Sequence, residues 1–475
     1  MTPALGRVTL KPMRTALARP LSGDRVHFVA IGGVGMAALA EVLASMGYEV
    51  SGSDLKGSRT VRRLLTLGIP VAVGPHQAEH AAGADHVIVS AAVPPHNPEV
   101  QLARERGIEI VSRAGLLGRL LDGGRGIAVA GTHGKTTTSS MVATVLEATG
   151  FEPTFVVGGD LNDVGTGAKL GSSDIVVAEA DEFSGSFLEL HPFAAVVTNV
   201  DRDHLDHYAD IDAIDDAFVR FLSQRTGGPA VICADDAGVR RILDRIDAPI
   251  VTFGTEDADL RIERSGRAWA VRWRGDDLGE VVLRLPGAHN ALNAAAAAAI
   301  AFEMGADRQP VLDALEAFTG VERRFSVRGE VAGITVVDDY AHNPRKVAAT
   351  LEAAREAYPS ARVVALFQPH LYSRTRHQAA EFGSAFDEAD VVVVTDVYGD
   401  REQPEPGVSG RLIIEAIRRF GSGRAQVAYV PRLEEAAGFV AGLAERGDIV
   451  LTLGAGDVTT AAPRIIMLLR ERGDR

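Results

Sequence analysis

Short runs of β-branched and other apolar residues alternate with amphipathic stretches along most of the chain. The first apolar run covers residues 26–31 and precedes a helical pattern over residues 36–46. Two further series of the same kind begin at residue 127 and near residue 325. Because alternating strands and helices are typical of parallel sheets with crossover helices, we predict an α/β protein built from three such units.

The pattern changes at a few places that suggest how the chain is divided. It pauses on glycines at residues 122–126, alternates as in an antiparallel hairpin over 259–285, and becomes alanine-rich over 290–301, which predicts a packed helix. A length of 475 residues fits about three domains. We predict a flexible N-terminal extension (1–24), an N-terminal Rossmann-like domain (25–122), a central domain whose parallel sheet carries a small antiparallel insertion (123–324) and a C-terminal Rossmann-like domain (325–475).

Composition narrows the compartment and the partners. The net charge is −14, and an acidic chain gains nothing from the phosphate backbone of nucleic acid. Cys233 is the single cysteine, which excludes an internal disulfide and fits a reducing cytoplasm. No run approaches the ~18 apolar residues needed to span a bilayer. We therefore expect a cytoplasmic protein, monomer or homodimer, that acts on small molecules and not on nucleic acid or membranes.

A glycine-rich turn follows the first predicted strand. Residues 33–38 fit the pattern G-x-G-x-x-A at the start of a helix. Glycines let a pyrophosphate approach the backbone, and the helix N-terminus offers free N–H groups. Asp54 ends the next strand about 20 residues on, where a ribose-binding acid lies in such domains. The pattern indicates a nucleotide diphosphate, either NAD or a UDP-sugar, and a tight turn without ligand is the alternative.

A second glycine loop, at residues 131–137, lies between an apolar strand and a helix. It has the properties of a phosphate-binding loop: exposed N–H groups cradle phosphate, Lys135 reaches the terminal phosphates and a hydroxyl reaches Mg²⁺. Its spacing is shorter than G-x-x-x-x-G-K-[ST], because position 129 is valine. A glycine turn that contains Gly-Lys-Thr by accident is the alternative.

Two later apolar strands deliver charged residues at their carboxyl ends, where parallel sheets bind ligands. Glu179 ends the first of these strands, and His204 follows the second. Both are candidate Mg²⁺ ligands. The burial of Glu179 would be costly without a partner, whereas His204 alone fits a surface histidine in an acidic loop equally well.

From about Arg25 onward the chain resembles the Mur ligase family. The matching segments occur in family order at residues 31–36, 50–54, 130–138, 179–182, 199–200, 203–206, 287–293, 323–325, 338–342 and 367–375. Residues 32–36 and 367–375 resemble most closely the branch that adds L-alanine to UDP-N-acetylmuramate. The resemblance implies three domains that bind UDP, ATP and the amino acid. It also implies a reaction in which the lactyl carboxylate is phosphorylated by ATP and the acyl phosphate is attacked by the alanine amine.

The resemblance also implies roles for individual residues. The catalytic residues are expected to be Lys135, His204, His342, His370 and Arg374. ATP would contact Gly131, Thr132, His133, Gly134, Lys135, Thr136, Thr137, His289, Asn290, Asn293, Arg324 and Asp339. Thr136, Glu179 and His204 would hold Mg²⁺ at two sites. The UDP moiety would contact Gly32, Gly33, Gly35, Met36, Ser53, Asp54, His76 and Ser90.

Some residues depart from the family pattern. No lysine lies between Lys169 and Lys346, so the carbamylated lysine of other branches has no counterpart here. Asn343 stands where the alanine-adding branch commonly has a second histidine, and residues 183–184 replace a Ser-Asp pair. The alternatives are a ligase that attaches a recycled tripeptide to the same UDP-sugar, a dehydrogenase that uses the 33–38 turn, and a non-catalytic nucleotide-binding protein.

Overall fold

The computed structural model describes residues 14–202, 208–247, 249–400 and 402–473. Its strands form three sheets of five, ten and six strands, which confirms the predicted α/β fold. The chain separates into two compact units. One extends to Leu283 and includes Leu292–Thr319, and the other contains Arg284–Ala291 and the residues from Gly320 onward. The domain boundaries at residues 122 and 324 stay predictions.

The first sheet is entirely parallel, in the order β3-β2-β1-β4-β5. Its strands are β1 (Arg25–Val29), β2 (Glu49–Asp54), β3 (Val71–Val73), β4 (His86–Val89) and β5 (Glu109–Ser112). Its helices are α1 (Val34–Ser45), α2 (Arg59–Thr66), α3 (Pro98–Arg106) and α4 (Arg113–Asp122). The central strand β1 is buried along four of its five residues, as expected where helices cover both faces of a sheet.

The second sheet places the strand before the phosphate loop, β6, between β10 and β9 in the order β15-β14-β13-β12-β11-β10-β6-β9-β7-β8. Its strands are β6 (Arg125–Ala130), β7 (Thr154–Val156), β8 (Ala168–Lys169), β9 (Ile175–Glu179), β10 (Ala194–Val197), β11 (Ala230–Cys233), β12 (Ile250–Gly254), β13 (Leu260–Ser265), β14 (Ala268–Trp273) and β15 (Asp276–Val281). Strands β13 to β15 are antiparallel to one another, which confirms the predicted insertion.

The helices beside the second sheet include the alanine-rich one. They are α5 (Lys135–Ala148), α6 (Ile211–Ser223), α7 (Ala237–Ile242), α8 (Ala288–Glu303) and α9 (Arg308–Ala317). In α8 every alanine from Ala294 to Ala299 is buried, so the small side chains allow close packing, as predicted.

The third sheet is parallel except for its edge strand β16, which pairs antiparallel with β17 in the order β16-β17-β21-β18-β19-β20. Its strands are β16 (Ser326–Val331), β17 (Ile334–Asp339), β18 (Val363–Phe367), β19 (Val391–Val394), β20 (Gln426–Tyr429) and β21 (Ile449–Leu453). Its helices are α10 (Pro344–Ala357), α11 (Tyr372–His377), α12 (Ala379–Ala385), α13 (Arg411–Phe420), α14 (Leu433–Leu443) and α15 (Ala461–Gly473).

The described part of the N-terminal segment packs against the first core. Leu17 and Leu21 are buried, and the Tyr48 hydroxyl donates a hydrogen bond of 2.9 Å to the Leu21 carbonyl. Residues 14–24 therefore differ from the flexible extension that we predicted for residues 1–24. No helix within the described ranges is long and apolar enough to cross a bilayer.

Candidate active site

The phosphate loop connects β6 to α5 through two glycines in conformations that other residues avoid. Gly131 has φ +134° and Gly134 has φ +83°. A Cβ atom would lie 2.1 Å from Thr198 Oγ1 at the first position and 2.6 Å from Asn293 Oδ1 at the second. Glycine is therefore required at both positions, and the turn leads directly into the N-terminus of α5, where the helix dipole favours an anion.

Side chains from the loop after β10 fix the backbone of the phosphate loop. The His133 N–H donates to Asn199 Oδ1 over 2.7 Å, and the Asn199 amide donates back to the His133 carbonyl over 3.0 Å. Thr132 Oγ1 accepts a hydrogen bond of 2.9 Å from the Asp201 N–H. The loop is thus held in shape by the protein itself, which is the kind of preorganisation that phosphoryl transfer requires.

Lys135 is a largely enclosed cation, with 12% of its side chain exposed, that is compensated by carboxylates. Its Nζ donates to Glu182 Oε2 over 2.6 Å and to the Gly131 carbonyl over 2.8 Å, and Asp181 lies 3.9 Å away. Burial by itself lowers the pKa of Lys135, but Glu182, Asp181 and Glu179 outweigh it, so the pKa is raised. The ammonium is therefore charged at neutral pH.

Two of the three predicted metal ligands lie at the same edge of the second sheet. Glu179 ends β9, pairs in register with Val129 of β6, and accepts a hydrogen bond of 2.9 Å from the Gly158 N–H. Thr136 is buried in the first turn of α5, with Thr137 buried beside it. A carboxylate and a hydroxyl offer the oxygen ligands that Mg²⁺ prefers. His204 lies outside the described residues, and within those residues no three His, Cys, Asp or Glu side chains form a metal cluster.

Asp54 braces the glycine turn of the first sheet. Its carboxylate accepts hydrogen bonds of 2.9 Å from the N–H groups of Gly32 and Lys56. A Cβ at Gly32 would lie 2.7 Å from Asp54 Oδ2, which explains the glycine. Arg113 Nη1 lies 3.1 Å from the position of a Cβ on Gly35. The turn therefore combines a helix N-terminus with a neighbouring guanidinium, a combination that suits a diphosphate.

Most of the other residues predicted to bind UDP lie at the same edge of the first sheet. Gly33 precedes α1, whose residue Met36 is buried, and Ser90 follows β4, whose last residue Val89 pairs with Val29. Ser53 is the residue of β2 before Asp54 and is fully buried, and its hydroxyl lies 3.0 Å from Nδ1 of His76. Both groups meet the buried carboxylate of Glu99, which the sequence patterns did not single out.

The third sheet brings the predicted amino-acid residues together. Arg374 Nη1 donates to Nδ1 of His370 over 3.1 Å, and the rings of His370 and His342 are 6.0 Å apart. Nδ1 of His342 donates to the Tyr340 carbonyl over 2.8 Å. Burial, Lys346, Arg374 and His370 together hold the pKa of His342 well below its usual value, so this ring is neutral at neutral pH.

The residues predicted to contact the nucleoside of ATP lie on two elements. Asn293 accepts a hydrogen bond of 3.0 Å from Thr138 Oγ1 and so lies against the phosphate loop. His289 is exposed and Asn290 is buried at the start of α8. Asp339 ends β17, and its carboxylate accepts from the N–H groups of Phe325 and Ala341 at 2.7 Å. Burial raises the pKa of Asp339 although the nearby Arg324 lowers it.

One departure from the family pattern has a structural role. Asn343 caps α10, because its side-chain oxygen accepts from the Lys346 N–H over 3.0 Å. Replacing a cap of this kind destabilises a helix by about 1 kcal/mol. Asn343 therefore fixes the start of α10 directly after His342. Nothing in the structure explains the change at residues 183–184.

Three residues of the site received no role from the sequence: Glu99, Arg113 and Glu182. Glu99 follows an Asn-Pro helix start, which is a detectable signal, but only the folded chain brings three histidines to it. Arg113 follows the last strand of the first sheet, and Glu182 follows Glu179 by three residues. Position after a strand end was therefore a usable signal for these two.

Comparison with known proteins assigns the chain to a family. The sequence matches three family profiles: "Mur ligase family, catalytic domain" over residues 25–125, "Mur ligase middle domain" over 129–301 and "Mur ligase, glutamate ligase domain" over 323–456. The first and last of these profiles cover all strands of the first and third sheets, and the middle profile covers β7 to β15 and the end of β6 in the second sheet.

Individual relatives align over nearly the whole length. UDP-N-acetylmuramate–L-alanine ligase of Solidesulfovibrio magneticus is 48% identical over 440 residues, 91% of this chain and 96% of the relative. The enzyme of the same name from Anaeromyxobacter dehalogenans is 48% identical over 94% of this chain and 98% of its own length. The solved structure of UDP-N-acetylmuramate-alanine ligase from Thermotoga maritima matches with a TM-score of 0.80 at 32% identity, covering 95% of this chain and 100% of that one.

Proposed function

The chain belongs to the Mur ligase family, and from this premise we propose that it joins L-alanine to UDP-N-acetylmuramate at the expense of ATP. The observation that carries the proposal is the 48% identity, over nine-tenths of the chain, to ligases of that name. The product is the first aminoacyl intermediate of peptidoglycan synthesis. We place the reaction in the cytoplasm, and the oligomeric state, monomer or homodimer, stays a prediction.

The first step joins a carboxylate to a phosphoryl group, and both are anions. The lactyl carboxylate of the UDP-sugar attacks the γ-phosphorus of ATP, the bond to the bridging oxygen breaks, and ADP leaves. Lys135, held beside the loop by Glu182, reduces the repulsion between the two anions. Its positive charge also stabilises the negative charge that develops on the transferred phosphoryl group. Lys135 must exchange part of its bond to Glu182 for the phosphates when ATP binds.

The nucleotide and its metal fit the residues at the edge of the second sheet. The phosphates would lie in the loop formed by Gly131, Thr132, His133, Gly134 and Thr137. The other residues proposed to contact ATP are His289, Asn290, Asn293, Arg324 and Asp339. Thr136 and Glu179 would hold Mg²⁺, with His204 proposed for a second ion. When bound, Mg²⁺ neutralises phosphate charge and orients the reacting oxygens.

The second step forms the amide bond. The alanine amine attacks the acyl carbon, phosphate leaves, and the amine loses a proton. Arg374 offers a planar guanidinium that suits the alanine carboxylate. His342 is a neutral ring whose Nδ1–H is committed to the Tyr340 carbonyl, so its Nε2 has a lone pair for the amine end of the substrate. His370 is oriented by Arg374.

The decisive experiment is a substrate panel in an assay of ADP release. The proposal predicts turnover only when UDP-N-acetylmuramate, L-alanine, ATP and Mg²⁺ are all present, and a product whose mass equals that of the UDP-sugar plus alanine minus water. The tripeptide L-alanyl-γ-D-glutamyl-diaminopimelate serves as the competing acceptor substrate. Turnover with this tripeptide but not with L-alanine would establish the recycling ligase instead.

A further inference from the structure

The first sheet contains a buried carboxylate that none of the assigned roles uses. Glu99 is the second residue of α3 and is completely buried. Its Oε1 accepts from Nδ1 of His76 over 3.1 Å and from Nδ1 of His80 over 3.0 Å. Its Oε2 accepts from Nε2 of His27 over 3.1 Å and from Oγ of Ser53 over 2.7 Å.

These four hydrogen bonds use the full accepting capacity of the carboxylate, since two oxygens offer about four lone-pair positions. Glu99 therefore has no position left for a ligand, and its burial keeps a ligand from reaching it. Whatever Glu99 contributes, it contributes through the groups that donate to it.

The charge on Glu99 is well supported by its surroundings. Burial by itself would raise the pKa, but hydrogen bonds from His27, Ser53 and His80 outweigh it and bring the pKa of Glu99 to about 2. Asn97 caps the same helix by accepting from the Glu99 N–H over 2.9 Å, so the carboxylate also lies at the positive end of α3. Glu99 is an anion throughout the neutral range.

A permanent acceptor at Nδ1 determines how His76 presents its other ring edge. With Nδ1–H donated to Glu99, Nε2 is the atom that points away from the carboxylate. His76 keeps 13% of its side chain exposed, whereas His27 is fully enclosed and has its second nitrogen occupied by Ser51 Oγ at 2.9 Å. Among the three histidines, His27 is therefore structural.

The cluster is continuous with the glycine turn. Ser53 precedes Asp54, whose carboxylate holds the Gly32 N–H, and the Ser53 carbonyl accepts from the Ile31 N–H over 2.9 Å. A shift of Ser53 would move the turn, and a rotation of His76 would move its Nε2 edge. Both groups are held by one carboxylate.

We propose that Glu99 is a positioning residue for the nucleoside diphosphate substrate: it fixes the Nε2 edge of His76 at the rim of the first sheet and, through the fully buried Ser53, the position of the glycine turn. The proposal rests on the proposed function, because it takes this rim to be the UDP site. Glu99 contributes to substrate affinity without touching the substrate.

Glu99→Gln tests the proposal with little change of shape. An amide has one accepting oxygen, and its NH₂ group would face two of the four donors. His76 and Ser53 would therefore lose the acceptor that holds both of them. We expect the KM for UDP-N-acetylmuramate to rise about 10–100-fold, by analogy with the loss of hydrogen-bond partners of metal-ligating residues, with kcat at saturation and the KM for ATP within about twofold. Glu79→Gln removes an exposed charge beside His80 and serves as the matched control, with unchanged KM.

A double-mutant cycle with His76→Gln separates positioning from general damage. If Glu99 acts through His76, the double variant binds within about threefold of the weaker single variant, because coupled residues are not additive. The proposal would be overturned if the losses of affinity of the two single variants multiplied in the double variant. An unchanged KM in Glu99→Gln would also overturn it. If Glu99→Gln does not fold, Glu99→Asp retracts the charge by one methylene, and the same rise in KM is expected. Failure of the wild-type chain to bind the UDP-sugar would overturn the proposed function instead.

Discussion

Two enclosed charges of opposite sign lie at the sheet edges of the first compact unit, and they are compensated differently. Glu99, in α3 beside the first sheet, is an anion whose four accepting positions are filled by three histidine rings and one serine hydroxyl. Lys135, the first residue of α5 beside the second sheet, is a cation held by carboxylates at 2.6 Å and 3.9 Å. The carboxylates beside Lys135 compete with phosphate for the same ammonium.

The difference separates a fixed support from an exchangeable partner. Ligand binding need not disturb the bonds of Glu99, because the carboxylate itself is fully buried and its four accepting positions are filled. On the proposed function, Lys135 would exchange some of its carboxylate bonds for bonds to the phosphates of ATP. Loss of Glu99 should therefore affect affinity for one substrate, and loss of Lys135 should affect chemistry.

The largest expected effect is that of Lys135→Ala. Removal of the cation leaves the charge of the phosphoryl transfer uncompensated, and we expect kcat to fall at least about 10²–10³-fold. Lys169→Ala is the control and should retain activity, because Lys169 is a partly exposed residue of β8 that pairs with Glu147 of α5. ADP release at saturating substrates measures both. Wild-type turnover in Lys135→Ala would remove the phosphate loop from the mechanism.

Metal removal and Glu179→Gln test whether the reaction needs Mg²⁺ and whether Glu179 binds it. Chelation of Mg²⁺ should abolish ADP release, and its re-addition should restore it. In Glu179→Gln the loss of a charged oxygen ligand should raise the Mg²⁺ concentration needed for half-maximal rate about tenfold or more. Glu256→Gln, an exposed carboxylate, should leave this concentration unchanged. An equal Mg²⁺ requirement in wild type and Glu179→Gln would exclude Glu179 as a ligand.

Glu182→Gln tests whether the carboxylate beside Lys135 stabilises the fold before ATP arrives. Removal of one partner from a buried ion pair leaves a costly charge, so we expect a loss of up to about 3 kcal/mol in the free energy of unfolding. Urea denaturation measures it, and saturating Mg-ATP should recover part of the loss, because phosphate replaces the missing anion. An unchanged denaturation midpoint would mean that Asp181 alone compensates Lys135.

The smallest effect concerns His342, a buried base with no charge at all. Its folded pKa lies well below 6.5, so below that pH the unfolded chain takes up a proton that the folded chain refuses. Stability contributed by this neutral ring therefore falls as the pH drops from about 7 to 5.5, by about 1 kcal/mol. His342→Gln should lose this part of the pH dependence, whereas the exposed His191→Gln should keep it. Identical profiles for wild type and His342→Gln would refute the assignment.

Local pattern was sufficient for the fold but not for the contacts among its charges. The strands at Ile175–Glu179, Val363–Phe367 and Ile449–Leu453 follow from continuous apolar runs, because parallel strands are buried on both faces. The edge strand β16 and the short β7 and β8 were not predicted, since half-exposed or very short strands carry little periodicity.

For the site, too, local sequence pattern predicted some residues, whereas others are recognisable only in the folded chain. Lys135, Glu179 and Asp54 could be predicted because each stands at a strand end or helix start with a recognisable spacing. Glu99 could not, because its partners come from β1, β2 and the segment after β3, which only the folded sheet assembles. Asn343 could be recognised from the sequence as a departure from the family pattern, but its role as the cap of α10 is visible only in the folded chain.

Calorimetric binding of UDP-N-acetylmuramate to wild type, Lys135→Ala and Glu99→Gln, without ATP, tests the central claim most directly. The account predicts a Kd for Lys135→Ala within about twofold of the wild-type value and a Kd for Glu99→Gln at least about tenfold weaker. Equal weakening in both variants, or weakening in Lys135→Ala alone, would contradict the division between a UDP-binding first sheet and an ATP-driven second sheet.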